Sequence, residues 1–137
     1  MSGDGGRTLV TAAEPAALER VHALLQELWQ DAADVVAQDR IRFETAVTEI
    51  AGNIVMHASD GRPHDFTLHV TARPDRIEAR FEDAGRRADV DLTAAQLPDD
   101  LAESGRGLAL ALAASDELEY RRDGALNCWR VMSKRTP

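Results

Sequence analysis

The feature that most restricts the fold is a run of alternating residues between positions 66 and 82. Phe66, Leu68, Val70 and Ala72 alternate with Thr67, His69 and Thr71. After Arg73-Pro74-Asp75 the pattern resumes, with Ile77, Ala79 and Phe81 set against Glu78, Arg80 and Glu82. A period of two on both sides of a tight turn predicts an antiparallel hairpin with one apolar and one polar face. An apolar sheet face has to be covered by another layer.

The chain supplies that cover. From Arg40 to Ala58, Phe43, Val47, Ile50 and Ile54 recur at spacings of four, three and four, so they share one face of a helix of about five turns. Pro15 suits the first turn of an earlier helix, with Leu18, Val21, Leu25 and Leu28 as its stripe and an end near Asp31. Residues 32–39 are a connection or an early start to the central helix. Leu108 to Ala114 is wholly apolar and predicts a third, buried helix. Glu117–Arg122 and Leu126–Ser133 flank Asp123-Gly124-Ala125 and read as a second hairpin, in which Trp129 and Val131 share a face. Arg7–Val10 reads as a short edge strand, and residues 1–6 as a flexible tail. The order helix, helix, hairpin, loop, helix, hairpin predicts an α+β two-layer sandwich, in one domain over residues 7–137.

Three polar features sit on this frame. Glu49, Asn53 and His57, four apart, line the rim of the central helix beside its apolar face. A carboxylate and an amide one turn apart suit a cation or a polar ligand, and equally suit an ordinary polar flank. Asp83 continues the inward set of the second strand, where a carboxylate is costly unless something satisfies it, and Gly85 removes a side chain beside it. A strand that ends before Asp83 is the plain alternative. Gly105-Arg106-Gly107 precedes the apolar run, and glycines at a helix start leave N–H groups to face an anion. They also simply break a loop. Residues 86–104 are polar and acidic, include Pro98, and predict a mobile loop with a short helical piece.

Composition removes several classes. The net charge of −8 argues against nucleic acid as a main partner. The only lysine is Lys134, near the end of the sequence, so neither a P-loop nor the strand lysine of a eukaryotic-type protein kinase is present. The four histidines show no recognised zinc spacing, and Cys128 alone forms no intramolecular disulfide. No run is long enough to span a membrane and the first residues lack an apolar signal core, so a cytoplasmic protein is expected.

Taken in order, Glu49-x-x-x-Asn53, Asp83-x-Gly85 and Gly105-x-Gly107 resemble the N, G1 and G2 boxes of the GHKL ATPases, which share the Bergerat fold. The ending DELEYRRDGALNCWRV looks most like the anti-sigma-factor serine/threonine kinases, the RsbW-like group. The resemblance runs from about Val10 to Val131. It implies a mixed, mostly antiparallel sheet covered on one face by helices, with ATP and Mg²⁺ bound under a lid at residues 86–104. Asn53 would ligate Mg²⁺ and Glu49 would be the general base. Asp83 would accept the adenine amino group, with Gly85 giving the base room. Gly105, Arg106, Gly107 and Leu108 would complete the cofactor site at the phosphates. His57 matches a position that is often basic and is assigned no chemistry. The implied function is a protein kinase that phosphorylates a STAS-domain antagonist and also binds a sigma factor, in a family whose members form homodimers. Asp83-Ala84-Gly85-Arg86-Arg87 lacks the second glycine of DxGxG, which favours a regulatory binding module with weak or no catalysis as the alternative. A detached histidine-kinase ATP domain is a third reading.

Overall fold

The structure, a computed structural model, describes residues 6–58, 63–85 and 103–137. Along the chain run β1 (Gly6–Ala12), α1 (Ala17–Asp31), α2 (Ala37–Ala58), β2 (Asp65–Ala72), β3 (Arg76–Asp83), α3 (Glu103–Ala114), β4 (Glu117–Asp123) and β5 (Leu126–Lys134). The strands form one sheet in the order β1-β2-β3-β5-β4. Each neighbouring pair is antiparallel. α1 packs on β1 and β2, α2 on β3 and β5, and α3 on α2 and β4. This is the expected α+β arrangement.

Because side chains alternate, the register resolves the sheet into rows. On the helical face, Leu9, Leu68, Phe81, Trp129 and Tyr120 form one row across all five strands. Leu68 and Phe81 are fully buried there, together with Phe43, Val47 and Ile50 of α2. The next row, Arg7, Val70, Ala79, Val131 and Leu118, is apolar in its centre and ends on Arg7, which reaches Asp31 of α1 at 2.5 Å. The third row is Thr11, Phe66, Asp83, Asn127 and Arg122. It is mostly polar although it faces the helical layer.

The helices follow their stripes. α1 buries Val21, Leu25 and Leu28 as predicted, and also Leu24 and Trp29. Trp29 packs edge-on against Phe43 at 6.0 Å, donates to Glu44 at 2.7 Å, and lies 5.6 Å under the Arg40 guanidinium. The proline expected in the first turn falls just outside it: Ala17 bonds back to Glu14 and Leu18 to Pro15, a turn that precedes the helix. The β4–β5 hairpin closes on Gly124-Ala125, and only Gly124 takes positive φ, at 60°, as a two-residue type II′ turn requires. No helix among the described residues is long and apolar enough to cross a membrane.

The last residues act as a strap. The Thr136 N–H and hydroxyl donate to Asp39 at 2.6 and 2.9 Å, and Asp39 is only 2% exposed in the first turn of α2. Arg135 adds bonds to the Arg73 carbonyl at 2.8 Å and to Asp34 at 2.9 Å. The strap thus joins the start of α2 to the β2–β3 turn.

The opposite sheet face carries charge. Arg130 reaches Glu78 at 2.6 Å, Glu117 at 2.8 Å and Glu119 at 3.2 Å. Burial pushes the Glu78 carboxyl up, but the hydrogen bond and charge of Arg130, with Arg76 and Arg80 adding to them, hold it below its usual value. Its contribution to stability is therefore present above the unfolded carboxylate value of about 4.3 and fades as pH falls through the lower folded value.

Three substitutions test these contacts. Arg130→Met is expected to cost roughly 1.5–3 kcal/mol in urea unfolding at pH 7, the size of hydrogen bonds to charged groups. The gap to the parent should shrink below about pH 4, and a gap of constant size down to pH 3 would contradict this account. Asp39→Ala should cost about 1–3 kcal/mol by leaving the strap donors without their acceptor. Removing the exposed Asp75 side chain should change stability by less than about 0.5 kcal/mol.

Candidate functional site

Asp83 closes β3 on the helical face and is 5% exposed, so the strand does not end before it. Its Oδ1 accepts from the Gly85 N–H at 2.9 Å and from the Asn127 amide at 3.0 Å. Asn127 is itself 3% exposed, and its Oδ1 accepts from the Tyr120 hydroxyl at 2.5 Å and from Arg122 at 3.0 Å. Arg122 also donates to the Gly85 carbonyl at 2.8 Å. The isolated carboxylate that sequence parity places indoors is thus held by a cross-strand network of β3, β5 and β4.

Gly85 is required by this packing. A Cβ there would stand 2.8 Å from Asp83 Oδ1 and 2.8 Å from the ring of His64. His64 Nε2 lies 3.5 Å from Asp83 Oδ1. Among the described residues all of these contacts fall on Oδ1. The second oxygen, Oδ2, is the one left to accept a hydrogen bond from a ligand donor.

The rim of α2 provides the second group. Glu49 and Asn53 are half-buried one turn apart, beside fully buried Ile50 and Ala51. α3 lies against α2, and a Cβ on Gly107 would come 3.0 Å from Glu49 Oε2. The structure therefore brings Glu49 and Gly107 together, which their separation in sequence does not show. The side chains of His57 and Arg106 lie outside the described part, as do residues 86–102 of the expected lid at 86–104, whose last two residues instead begin α3.

One boundary differs from expectation. The glycines do not precede the third helix but lie inside it: α3 starts at Glu103, so Gly105 is in its first turn and Gly107 about half a turn further in. Only the first few N–H groups of a helix lack an internal acceptor. Gly105 keeps the position from which an N–H faces outward, and Gly107 serves close packing on Glu49 instead. Each glycine inside a helix costs about 1 kcal/mol relative to alanine. Burial of Ala109 and Ala111, with Leu108 and Leu112 packed at the edge of the core, supplies the compensation.

Tyr120, Arg122, Asn127 and His64 are not among the sequence-predicted site residues. Asn127 carries a readable signal, because it shares the inward parity of Trp129 and Val131. The predicted second hairpin sets Tyr120 and Arg122 beside Asn127, but nothing in the sequence ties that hairpin to Asp83 until β5 is known to lie beside β3. On the other face of the sheet, a depression of about 770 Å³ lies over Thr67, His69, Arg80, Glu82, Arg121 and Cys128. The sheet separates those side chains from Asp83.

The fold has a solved relative in the crystal structure of the RsbU and RsbW domains of Rv1364c from Mycobacterium tuberculosis. The match has a TM-score of 0.66 at 16% identity and covers 96% of this chain. The chain corresponds to only 33% of that longer protein. None of the curated proteins matches this sequence. Residues 11–132 match the histidine kinase-like ATPase domain, a span that takes in Glu49, Asn53, the Asp83 network and α3. The chain belongs to the histidine kinase-like ATPase domain family.

Proposed function

We propose that this chain is an ATP- and Mg²⁺-dependent protein serine/threonine kinase that acts as a partner switch, phosphorylating a STAS-type antagonist and binding a sigma factor in turn. The observation that carries the reading is Glu49, kept one turn from Asn53 on the α2 rim and directly against α3. The residues fit the cofactor. Asp83 offers an acceptor-only oxygen at the buried end of β3, which suits the exocyclic amino group of adenine. Asn53 offers an amide oxygen of the hard type that Mg²⁺ prefers. Among the described residues no three His, Cys, Asp or Glu side chains cluster as metal ligands, so phosphate and water would complete the coordination. Bound ATP supplies the phosphoryl group, and Mg²⁺ offsets its charge.

The chain's own residues position the reaction. Glu49 accepts the proton of a serine or threonine hydroxyl as its oxygen becomes bonded to phosphorus and ADP departs. Gly105, in the first turn of α3, offers an N–H and the positive end of the helix to phosphate. Arg106 follows Gly105 in sequence, and Leu108 follows Gly107. A phosphate placed on the antagonist then adds charge to an interface, which is how one modification exchanges partners.

The second reading is a binding module that holds its partner with little or no catalysis. The position of Gly107 inside α3 favours it, because that N–H is in the body of the helix.

Calorimetry with ATP and Mg²⁺ separates the two. The kinase reading expects saturable binding, with Asn53→Ala weakening it about tenfold only when Mg²⁺ is present, an effect of about 1.4 kcal/mol. Glu49→Gln should bind ATP within about twofold of the parent but transfer labelled phosphate to STAS-domain proteins of the same organism 10²–10⁴-fold more slowly, roughly the scale of general-base catalysis. Neither heat nor a thermal shift at millimolar ATP, or parental transfer by Glu49→Gln, would sink the kinase assignment.

Gly85→Ala should lower stability by about 1–3 kcal/mol, because the added methyl has to displace Asp83 or His64. Thermal unfolding would read this, and adding His64→Ala should restore part of the loss. No recovery in the double variant would mean that the His64 ring is not the obstacle.

A further inference from the structure

The Asp83 network has a direction. Tyr120 and Arg122 both donate to Asn127 Oδ1, and an arginine has no acceptor to offer. Asn127 must therefore present its carbonyl to β4 and its NH₂ group to Asp83. Reversing the amide would set NH₂ against the Arg122 donor and carbonyl oxygen against carboxylate. The amide is thus fixed by its neighbours, and with the Gly85 N–H it saturates one oxygen of Asp83. Arg122 holds the Gly85 carbonyl as well, so the turn that carries the Gly85 N–H is tied to the same strand.

We propose that Asn127, clamped by Tyr120 and Arg122, is a positioning residue that fixes the Asp83 carboxylate so that Oδ2 alone faces the nucleobase. The inference rests on the ATP reading given above. It assigns base selection to three strands rather than to Asp83 alone. A carboxylate with one oxygen committed cannot swing to meet a different base edge. It accepts one donor in one direction and repels a carbonyl placed there. Asn127, Tyr120 and Arg122 touch no substrate in this account and act only through Asp83 and Gly85.

The test compares ATP with purine riboside triphosphate, which lacks the 6-amino group, by calorimetry on the full chain. The parent is expected to prefer ATP by about tenfold, the value of one charge-assisted hydrogen bond. Asn127→Ala should reduce that preference to about twofold or less while changing the affinity for purine riboside triphosphate little. In an Asp83→Asn background the same change should leave the ratio where Asp83→Asn alone puts it, because the two act through one bond. Tyr120→Phe keeps the ring and the packing, and is the variant to rely on if Asn127→Ala does not fold; it should lower the preference by about threefold. Equal loss of affinity for both triphosphates, or an unchanged ratio in folded Asn127→Ala or Tyr120→Phe, would overturn the positioning role and leave ATP binding standing. A parent that binds neither triphosphate would overturn the ATP reading itself, and this inference with it.

Discussion

A carboxylate on the helical face of the sheet is the constraint from which the site follows. Asp83 occupies a row whose neighbours toward the sheet centre are Phe81 and Leu68, both fully buried. The effective penalty for taking an ion out of water is several kcal/mol, and a hydrogen bond to a charged group returns about 1.5–3. One donor does not close that gap, and two come near it. The Gly85 N–H and the Asn127 amide are those two. Each sets a further requirement. The Gly85 turn runs so close to Asp83 and His64 that a methyl group would collide, which fixes glycine there. Asn127, buried in its own right, needs donors for its carbonyl, and Tyr120 and Arg122 provide them.

The two sheet faces solve opposite problems. Next to the helices, two rows are apolar at their centres and the third is polar, with its polarity internally matched. On the far face, Thr8, His69, Arg80, Arg130 and Glu119 form one row, with Arg80 and Arg130 directly opposed. Like charges in that position repel, by a few tenths of a kcal/mol to about 1. Arg130 instead turns to Glu78, Glu117 and Glu119, and Arg80 stays exposed to water. The charged face is held by pairs within and across rows, which accounts for the alternation of Arg and Glu along β3.

What the sequence made legible follows from the range of the signal. Hairpins and the end of α2 come from local periodicity and appear where the pattern puts them, while α2 starts at Ala37, three residues before the apolar stripe's helix at Arg40. The inward set of Asp83 follows from counting by two from Phe81, and burial agrees. Asn127 was within reach of the same count along β5. Strand order was not: the second hairpin is local, but nothing local says that β5 lies beside β3, and Arg122 and Tyr120 reach Asp83 only through that pairing. The start of α3 was misplaced because glycine is a weak helix former, while the decisive term, its packing on α2, is non-local. Glu49 and Gly107 meet only through that packing.

The position of α3 also bears on how the site works. With Gly107 pressed toward Glu49, the helix and the carboxylate share one narrow space. A Cβ at 107 would require the Glu49 carboxylate, the end of a half-buried side chain, to give by a few tenths of an ångström. Glycine there lets the helix lie close to the proposed base, and it does so without offering its N–H to a ligand. Gly105, a half-turn earlier, retains the terminal position suited to an anion. The two glycines therefore have different physical duties despite their motif-like spacing: one holds the helix against α2 and the other opens its end. Groups from α2 and α3 are set by contact with each other, while Asp83 is set by β4 and β5. The helical layer thus positions the proposed chemistry, and the sheet positions the proposed recognition.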